Sequence, residues 1–152
     1  RKLGGEVVQA ILQIHQRQRV VGLHRISGNV GNQRHVFPRR QAWNQIVELS
    51  KDKRFVSQDI AVLSIVVDAS AQWQQAISQM PELAKATVLF DATKSVSQNY
   101  GILTLSSSMH RGTMPGHSYV VIDKEGIVRY VFDDQSMSIQ NDMIVSELSK
   151  IN

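Results

Sequence analysis

The chain has 152 residues, of which 42% are hydrophobic, and a formal net charge of +4. This length and apolar content fit one globular domain, and no segment has the run of about 18 apolar residues that a membrane span needs. The sequence contains no cysteine, which excludes disulfides, thiolate metal sites and thiol chemistry in this chain.

The positive charge is confined to the first part of the chain. Residues 1–40 carry eight Lys/Arg and one acidic residue, whereas residues 41–152 carry nine basic and twelve acidic residues. Such a basic arm could bind nucleic acid or an anionic membrane surface. It lacks the interleaved aromatic residues of nucleic-acid modules, so the favoured interpretation is a poorly ordered or extraneous leader. Because the sequence starts with Arg1, we expect a fragment or a processed product.

The hydrophobic pattern that follows predicts a helix and then a strand. Trp43, Ile46 and Val47 recur at helical spacing, which predicts a helix over about 41–54. Segment 60–68 is apolar at odd and even positions alike. This pattern is typical of a strand buried on both faces, and we expect it at the centre of a sheet.

A second predicted helix follows this strand. It begins with Ser70 as its N-cap and ends before Pro81. We expect Trp43 and Trp73 to anchor their helices in the core rather than to serve as ligand platforms. The apolar stripe of the second helix comprises Trp73, Ala76, Ile77 and Met80.

The rest of the chain predicts a short strand, a short helix, a loop, a β-hairpin and a closing helix. Ser95 and Gln98 resemble a capping box that starts the short helix, and Gly101 ends it. A three-residue connection, whose Gly126 can adopt the left-handed conformation, joins the hairpin strands. The predicted ranges are 87–90 for the strand, 102–117 for the loop, 118–123 and 127–132 for the hairpin, and about 139–151 for the closing helix.

This order of elements predicts an α/β fold. Strands separated by helices need crossover connections and become parallel neighbours, whereas the hairpin adds an antiparallel pair. We therefore expect one mixed sheet with helices on both faces and with the strand at 60–67 in its interior. Residues 20–40 have no periodic pattern, so we expect them to have poor order or few contacts with the core.

Three segments carry a resemblance to a known superfamily. The segment "VLSIVVDAS" resembles a central strand ending in Asp before a helix, and "VLFDATKSVSQNYGI" resembles a strand, an Asp and a helix ending in Tyr-Gly. The segment "MPGHSYVVIDKEGIVRYVFDD" resembles a hairpin with the pattern "ID-x-x-G-x-[VI]-R". In this order they are similar to the thioredoxin-like redoxins, which include the peroxiredoxins (alkyl hydroperoxide reductase and thiol-specific antioxidant family) and thiol–disulfide oxidoreductases. The resemblance covers about residues 41–151 and implies a thioredoxin-like fold.

The resemblance also implies an active site whose cysteines are missing here. In such proteins the helix that matches 41–54 starts with a redox-active cysteine, because a helix N-terminus stabilises the thiolate. Similar segments read "CQ-x-CW-x-QI", whereas this chain reads "RRQAWNQI". Arg40 stands in place of the first cysteine and is followed by Gln41, and Ala42 precedes Trp43 with no second cysteine between them.

Upstream of this helix the departure from the family is larger. The family expects an apolar strand that leads into the cysteine, and "GLHRISGNVGNQRHVFPRR" supplies none. We therefore interpret 35–46 as a seam, which a shifted reading frame or a wrong gene start would produce. The chain then divides into an atypical basic leader at 1–40 and a thioredoxin-like domain at 41–152. The alternative is a natural redox-inactive paralogue with a remodelled basic arm.

The loop before the hairpin supplies the remaining candidate site residues. In thioredoxin folds the residue just before the first hairpin strand faces the active site and is often a cis-proline. Here this position falls on His117, with Met114 and Pro115 close in sequence. His117 could orient a substrate or activate a thiol. Without a thiol, a solvated or hydrogen-bonded loop histidine is the favoured interpretation.

A metal site is a weaker alternative for the same loop. His110 and His117, with Asp91 and the thioethers of Met109 and Met114, would suit copper. Two histidines seven residues apart in an irregular loop are a weak signal for a metal site. The family resemblance itself implies neither a metal nor an organic cofactor.

By resemblance the chain is a redoxin, a protein that reduces peroxides or protein disulfides with a nucleophilic cysteine. Because it lacks that cysteine, we expect it to be redox-inactive. The first alternative is a non-enzymatic interaction domain around Trp43, Met114 and His117, and the second is a nucleic-acid binder. The family implies peroxide or protein-disulfide substrates and an optional homodimer, and we expect a soluble protein of the bacterial cytoplasm or envelope. Peroxidase or disulfide-reductase ancestry depends on cysteine placement and stays open, as does the reductant.

Overall fold

The computed structural model of the protein describes residues 19–24, 36–108 and 110–151. Most of the predicted basic leader, together with Met109, lies outside these residues. In the described ranges the strands are β1 Arg19–His24, β2 Ala61–Val66, β3 Val88–Phe90, β4 Ser118–Ile122 and β5 Val128–Asp133. The α-helices are α1 Val36–Lys51, α2 Lys53–Ser57, α3 Ser70–Gln79, α4 Ser95–Asn99 and α5 Asn141–Ser149. Short 3-10 helices at Pro81–Lys85 and Ile102–Thr104 follow α3 and α4.

The five described strands form one sheet in the order β3-β2-β1-β4-β5. β1 is parallel to β2 and antiparallel to β4. β2 and β3 are parallel, while β4 and β5 are antiparallel. The predicted mixed sheet, the interior position of the strand near 60–67 and the antiparallel hairpin are therefore confirmed.

The central strand corrects two sequence-based expectations. The pattern predicts no strand before residue 41 and few core contacts for 20–40, yet β1 pairs along its whole length, with Val21 opposite Leu63 on one side and Val120 on the other. The strand at 61–66 is interior, but β1 occupies the centre. A six-residue run with Gly22 in its middle is too short to show a period, and its stability comes from pairing with two neighbours that are distant in sequence.

Helix α1 begins at Val36 rather than near residue 41, and it ends at Lys51. It runs without a break through most of the interval interpreted as a seam. Pro38 is compatible with this start because it lies in the first turn, where a backbone N–H has no acceptor within the helix. The origin of residues 1–40 in a shifted reading frame stays a prediction.

Helices α3 and α4 begin differently from the prediction. Ser70 is the first residue of α3 rather than its N-cap; the backbone N–H of Ala69 donates to the side chain of Gln72 at 2.8 Å. Ser95 likewise is the first residue of α4, and its side chain does not cap the helix. Both sequence-based caps are therefore wrong by one position.

Asp91, directly after β3, is the residue that caps α4. One carboxylate oxygen accepts the backbone N–H of Val96 at 3.2 Å, and the other accepts the backbone N–H and the hydroxyl of Ser97, each at 2.9 Å. The Asp91 side chain is buried. It thus satisfies N–H groups of the first turn that have no acceptor within the helix.

The core lies on both faces of the sheet, as predicted. Alternate residues of β2 and β4 point to opposite faces, so Leu63 and Val120 pack in one cluster with Val96 of α4, while Tyr119 packs in another with Ile144 of α5. A third cluster joins α1 to α3 on the face that Val66 covers. Its buried members are Trp43, Ile46, Val66, Trp73, Ala76 and Leu83.

The hairpin turn has the predicted conformation. Gly126 has a φ of 85°, a value that costs glycine little and other residues more. Asp123 closes the turn, because its Oδ1 accepts the backbone N–H groups of Glu125 at 3.0 Å and of Ile127 at 2.8 Å. None of the helices in the described part of the chain combines the length and apolar character that a membrane crossing requires.

Candidate functional site

The first group of predicted site residues lies on α1, one turn away from its start. Arg40 is exposed, Gln41 is half-buried and Ala42 is fully buried. The sequence places Arg40 at the start of the helix, and this is wrong because the helix begins at Val36. The field of a helix N-terminus is concentrated in the first turn, so Arg40 is not at the position where a thiolate would gain most from it.

Trp43 belongs to the core rather than to a surface site. Its side chain is 5% exposed and packs in the same cluster as Trp73, which is 6% exposed. The expectation that both tryptophans anchor their helices is confirmed. An interaction surface that includes the Trp43 ring would require this cluster to open.

The second group of predicted site residues is held by hydrogen bonds of the serine-rich loop. The hydroxyl of Ser108 donates to the carbonyl of Met114 at 2.6 Å, and the backbone N–H of His117 donates to the hydroxyl of Ser107 at 2.9 Å. A Cβ at Gly116 would lie 2.0 Å from Ser107 Oγ, so only glycine fits this close approach. Met114 is half-buried and Pro115 is buried.

His117 lies at the entrance to β4, where the end of β5 meets it. Its carbonyl accepts the backbone N–H of Asp134 at 2.8 Å, and its side chain is half-buried. Burial lowers the pKa of His117 below its usual value, and the nearby carboxylates of Asp134 and Asp133 oppose this by raising it. His117 is therefore a partly buried histidine in a polar surrounding rather than a solvated loop residue.

Gln45 and Asp134 connect α1 to this region, and sequence reasoning missed both. The side-chain amide of Gln45 donates to Asp134 Oδ2 at 2.7 Å and to the carbonyl of Ser138 at 2.8 Å. Gln45 and Asp134 are each 1% exposed. Within the described residues, Gln45 Oε1 has no hydrogen-bond partner. Asp134 is thus hydrogen-bonded both to Gln45 of α1 and to the backbone of His117.

A signal for Gln45 is present in the sequence. Of the predicted stripe, Trp43 and Ile46 are buried and Val47 is half-buried. Ala42, Gln45 and Leu49 are buried as well, and positions 42, 45, 46 and 49 are spaced i, i+3, i+4 and i+7. A polar residue within such a stripe must find partners when it is buried. Asp134 has no comparable signal, because its neighbour Asp133 is also acidic and only the tertiary structure distinguishes them.

The residues considered for a metal site do not assemble into one. Both oxygens of Asp91 are engaged in capping α4, and His110 is exposed. Among the residues that the structure describes, no group of three or more His, Cys, Asp or Glu side chains is arranged to hold a metal ion. The copper interpretation therefore has no geometric support in this part of the chain.

The comparisons with known proteins agree with this architecture. Residues 42–143, more than half of the chain, match the sequence model of the Redoxin family. The chain has no significant sequence match among curated proteins.

Solved structures of peroxiredoxins share the fold. The mitochondrial 2-Cys peroxiredoxin of Plasmodium falciparum superposes with a TM-score of 0.65 at 21% identity, over 90% of this chain and 76% of that one. AhpC of Mycobacterium tuberculosis gives a TM-score of 0.64 at 19% identity, over 90% and 73%. The yeast mitochondrial 1-Cys peroxiredoxin gives 0.68 at 13% identity, over 92% and 66%. At these identities the likeness concerns the fold, which here includes β1. With its family match and its thioredoxin-like peroxiredoxin fold, this cysteine-less chain belongs to the Redoxin family.

Proposed function

We propose that this chain is a redoxin-fold protein without thiol-dependent peroxidase or disulfide-reductase activity. One observation carries the proposal: 152 residues include no cysteine, although the family match and the sheet are both present. The thiolate is the nucleophile in thiol-based reduction of peroxides and disulfides. Without a cysteine thiolate, the reduction of a peroxide or disulfide has no nucleophile, although the redoxin fold is retained.

The alternative function is that this fold binds a partner without catalysing a reaction. Trp43 is buried in the core, whereas Arg40 is exposed and Met114 and His117 are half-buried. This loop is held by side-chain hydrogen bonds. A pre-ordered loop lowers the entropic cost of binding a partner.

A homodimer is a further proposal, and the edge of the sheet supports it. Among the strands that the structure describes, β5 pairs only with β4, and Val128 and Val131 on it are 41% and 44% exposed. A strand edge with unpaired backbone groups can pair with the same strand of a second copy about a two-fold axis.

The proposed inactivity is tested by exposing the unmodified chain to hydrogen peroxide with a thiol reductant, and separately to insulin with the same reductant. We expect background rates in both assays. A peroxiredoxin that contains its cysteines serves as the positive control.

Methionine oxidation must be separated from catalysis in this test. The chain contains five methionines, and each can take up one oxygen atom from peroxide. Consumption of up to five equivalents of peroxide, matched by sulfoxide in the mass spectrum, therefore counts as damage. Sustained consumption beyond five equivalents, at a rate above that of the reductant without the protein, would contradict the proposal.

A further inference from the structure

A cleft between β5 and the end of α5 lies apart from the loop at Met114 and His117. Its volume is about 340 Å³, which falls at the lower end of the range for small-molecule sites. One wall is β5 and the other is the last turn of α5 with the two residues that follow it. The lining residues are Arg129, Tyr130, Glu147, Lys150 and Ile151.

Arg129 is aimed by an irregularity of the sheet. Val121 pairs with Tyr130, but the next residue, Ile122, pairs with Val128. Arg129 is therefore the extra residue of a β-bulge, a feature that redirects a side chain at a sheet edge. Bulges of this kind are frequent next to binding sites.

The guanidinium of Arg129 is held through its Nε, and its side chain is half exposed to solvent. Its Nε donates to Asp123 Oδ2, and Asp123 is 2% exposed and anchored by the hairpin turn. The Nη groups of Arg129 make no hydrogen bond to any residue that the structure describes, and the side chain is 49% exposed. A fixed planar fork of N–H donors matches a carboxylate.

The opposite wall carries an ion pair and apolar surface. Lys150 Nζ lies 2.7 Å from Glu147 Oε1, so these two charges compensate each other. The half-buried Tyr130 and Ile151 supply the apolar contacts. Asp123 and Glu147 are each paired with a cation, so the Nη groups of Arg129, oriented through Asp123 and half exposed, are the donors that the cleft presents to a ligand.

We propose that this cleft binds a small carboxylate with an aromatic or aliphatic body. The carboxylate accepts from the Arg129 fork, and the body packs against Tyr130 and Ile151. The proposal does not depend on the proposed function, since no residue of the cleft belongs to the family active-site positions.

Benzoate is the probe for a titration of the ¹⁵N-labelled chain followed by amide chemical shifts. We expect saturable shifts, concentrated at the five lining residues, with a dissociation constant in the millimolar range. Benzamide, which keeps the ring and loses the charge, and inorganic phosphate, which keeps charge and loses the ring, should each bind at least about tenfold more weakly.

Arg129→Lys and Arg129→Met test the fork. Both should weaken benzoate binding about tenfold or more, and the lysine variant should do so although it keeps the charge. The lysine variant also keeps a partner for Asp123, so it covers the case in which the methionine variant does not fold. Arg111→Met, at an exposed arginine outside the cleft, is the matched control and should bind benzoate normally. Shifts scattered away from the cleft, equal binding of benzamide, or unchanged binding by Arg129→Lys would overturn the proposal.

Discussion

Asp91 shows at the scale of a single residue how a buried carboxylate organises this fold. It satisfies two backbone N–H groups and one hydroxyl of α4. Replacing it by alanine would leave those donors without an acceptor in a buried position. We expect Asp91→Ala to lower the free energy of unfolding by about 2–3 kcal/mol, measured by urea denaturation.

The matched control for this substitution is Ser95→Ala. Ser95 is the residue that the sequence pattern suggests as the cap, but its hydroxyl makes only a 3.3 Å contact with Thr93. We expect its replacement to change the free energy of unfolding by less than about 0.5 kcal/mol. Equal effects of the two substitutions would show that Asp91 is not the cap.

His117 is expected to make stability depend on pH. Burial depresses its pKa in the folded state below the usual histidine value of about 6.5, so as the pH falls the unfolded chain binds a proton before the folded chain does. The contribution is fully present above about pH 6.5 and is lost as the pH falls below that value, by at most about 1.4 kcal/mol for each pH unit.

His117→Asn should remove this dependence between about pH 6.5 and 5, the range just below the usual pKa of histidine. Denaturant unfolding at several pH values measures it. His110→Asn, at an exposed histidine of the same loop, is the control and should keep the slope of the unmodified chain. A slope that His117→Asn leaves unchanged would contradict the prediction.

At the scale of the element, the start of α1 decides where a thiol could be activated. The helix begins at Val36, so position 37 lies in its first turn and position 40 in its second. We expect the thiol of Phe37→Cys to have a pKa about half a unit or more below that of Arg40→Cys, because the helix N-terminus stabilises the thiolate.

The thiolate absorbance in the ultraviolet, followed against pH, measures both values. Each variant contains a single cysteine, so no disulfide can form within the chain. Val56→Cys, at a side chain that is 76% exposed, supplies the reference thiol. A lower pKa at position 40 than at position 37 would show that the helix starts later than Val36.

At the scale of the whole molecule, the sheet requires the first part of the chain, because that part contains β1. It is the central strand, paired on both sides. We expect its amides to be protected from hydrogen exchange as strongly as those of β2, and Val21→Pro to cost about 3 kcal/mol or more, because proline removes a ladder hydrogen bond in a strand that has no free edge.

Hydrogen exchange measured by mass spectrometry on peptides that cover 19–24 and 61–66 tests the predicted protection of the β1 amides. Exchange of 19–24 within the dead time of the experiment, with 61–66 protected, would contradict the central position of β1. The position of β1 also affects tests of nucleic-acid binding by the basic arm. Deletion of residues 1–40 would remove this strand together with the arginines.

The local pattern predicted much of this fold because each prediction needed only neighbouring residues. The apolar run at 60–68, the stripe of Trp73 and Ala76, and the turn at Gly126 each depend on spacing or on a single backbone preference, and all three agree with the structure. The absence of cysteine and its chemical consequence also follow from the sequence by itself.

The tertiary structure decided what depends on partners distant in the chain. β1 is a strand because β2 and β4 pair with it, 42 and about 100 residues later along the chain. Asp134 becomes part of the site only because Gln45, 89 positions away in sequence, donates to it. The physical reason is the same in both cases: hydrogen bonds between distant segments carry no local periodicity, so the spacing of residues does not reveal which distant segment supplies the partner.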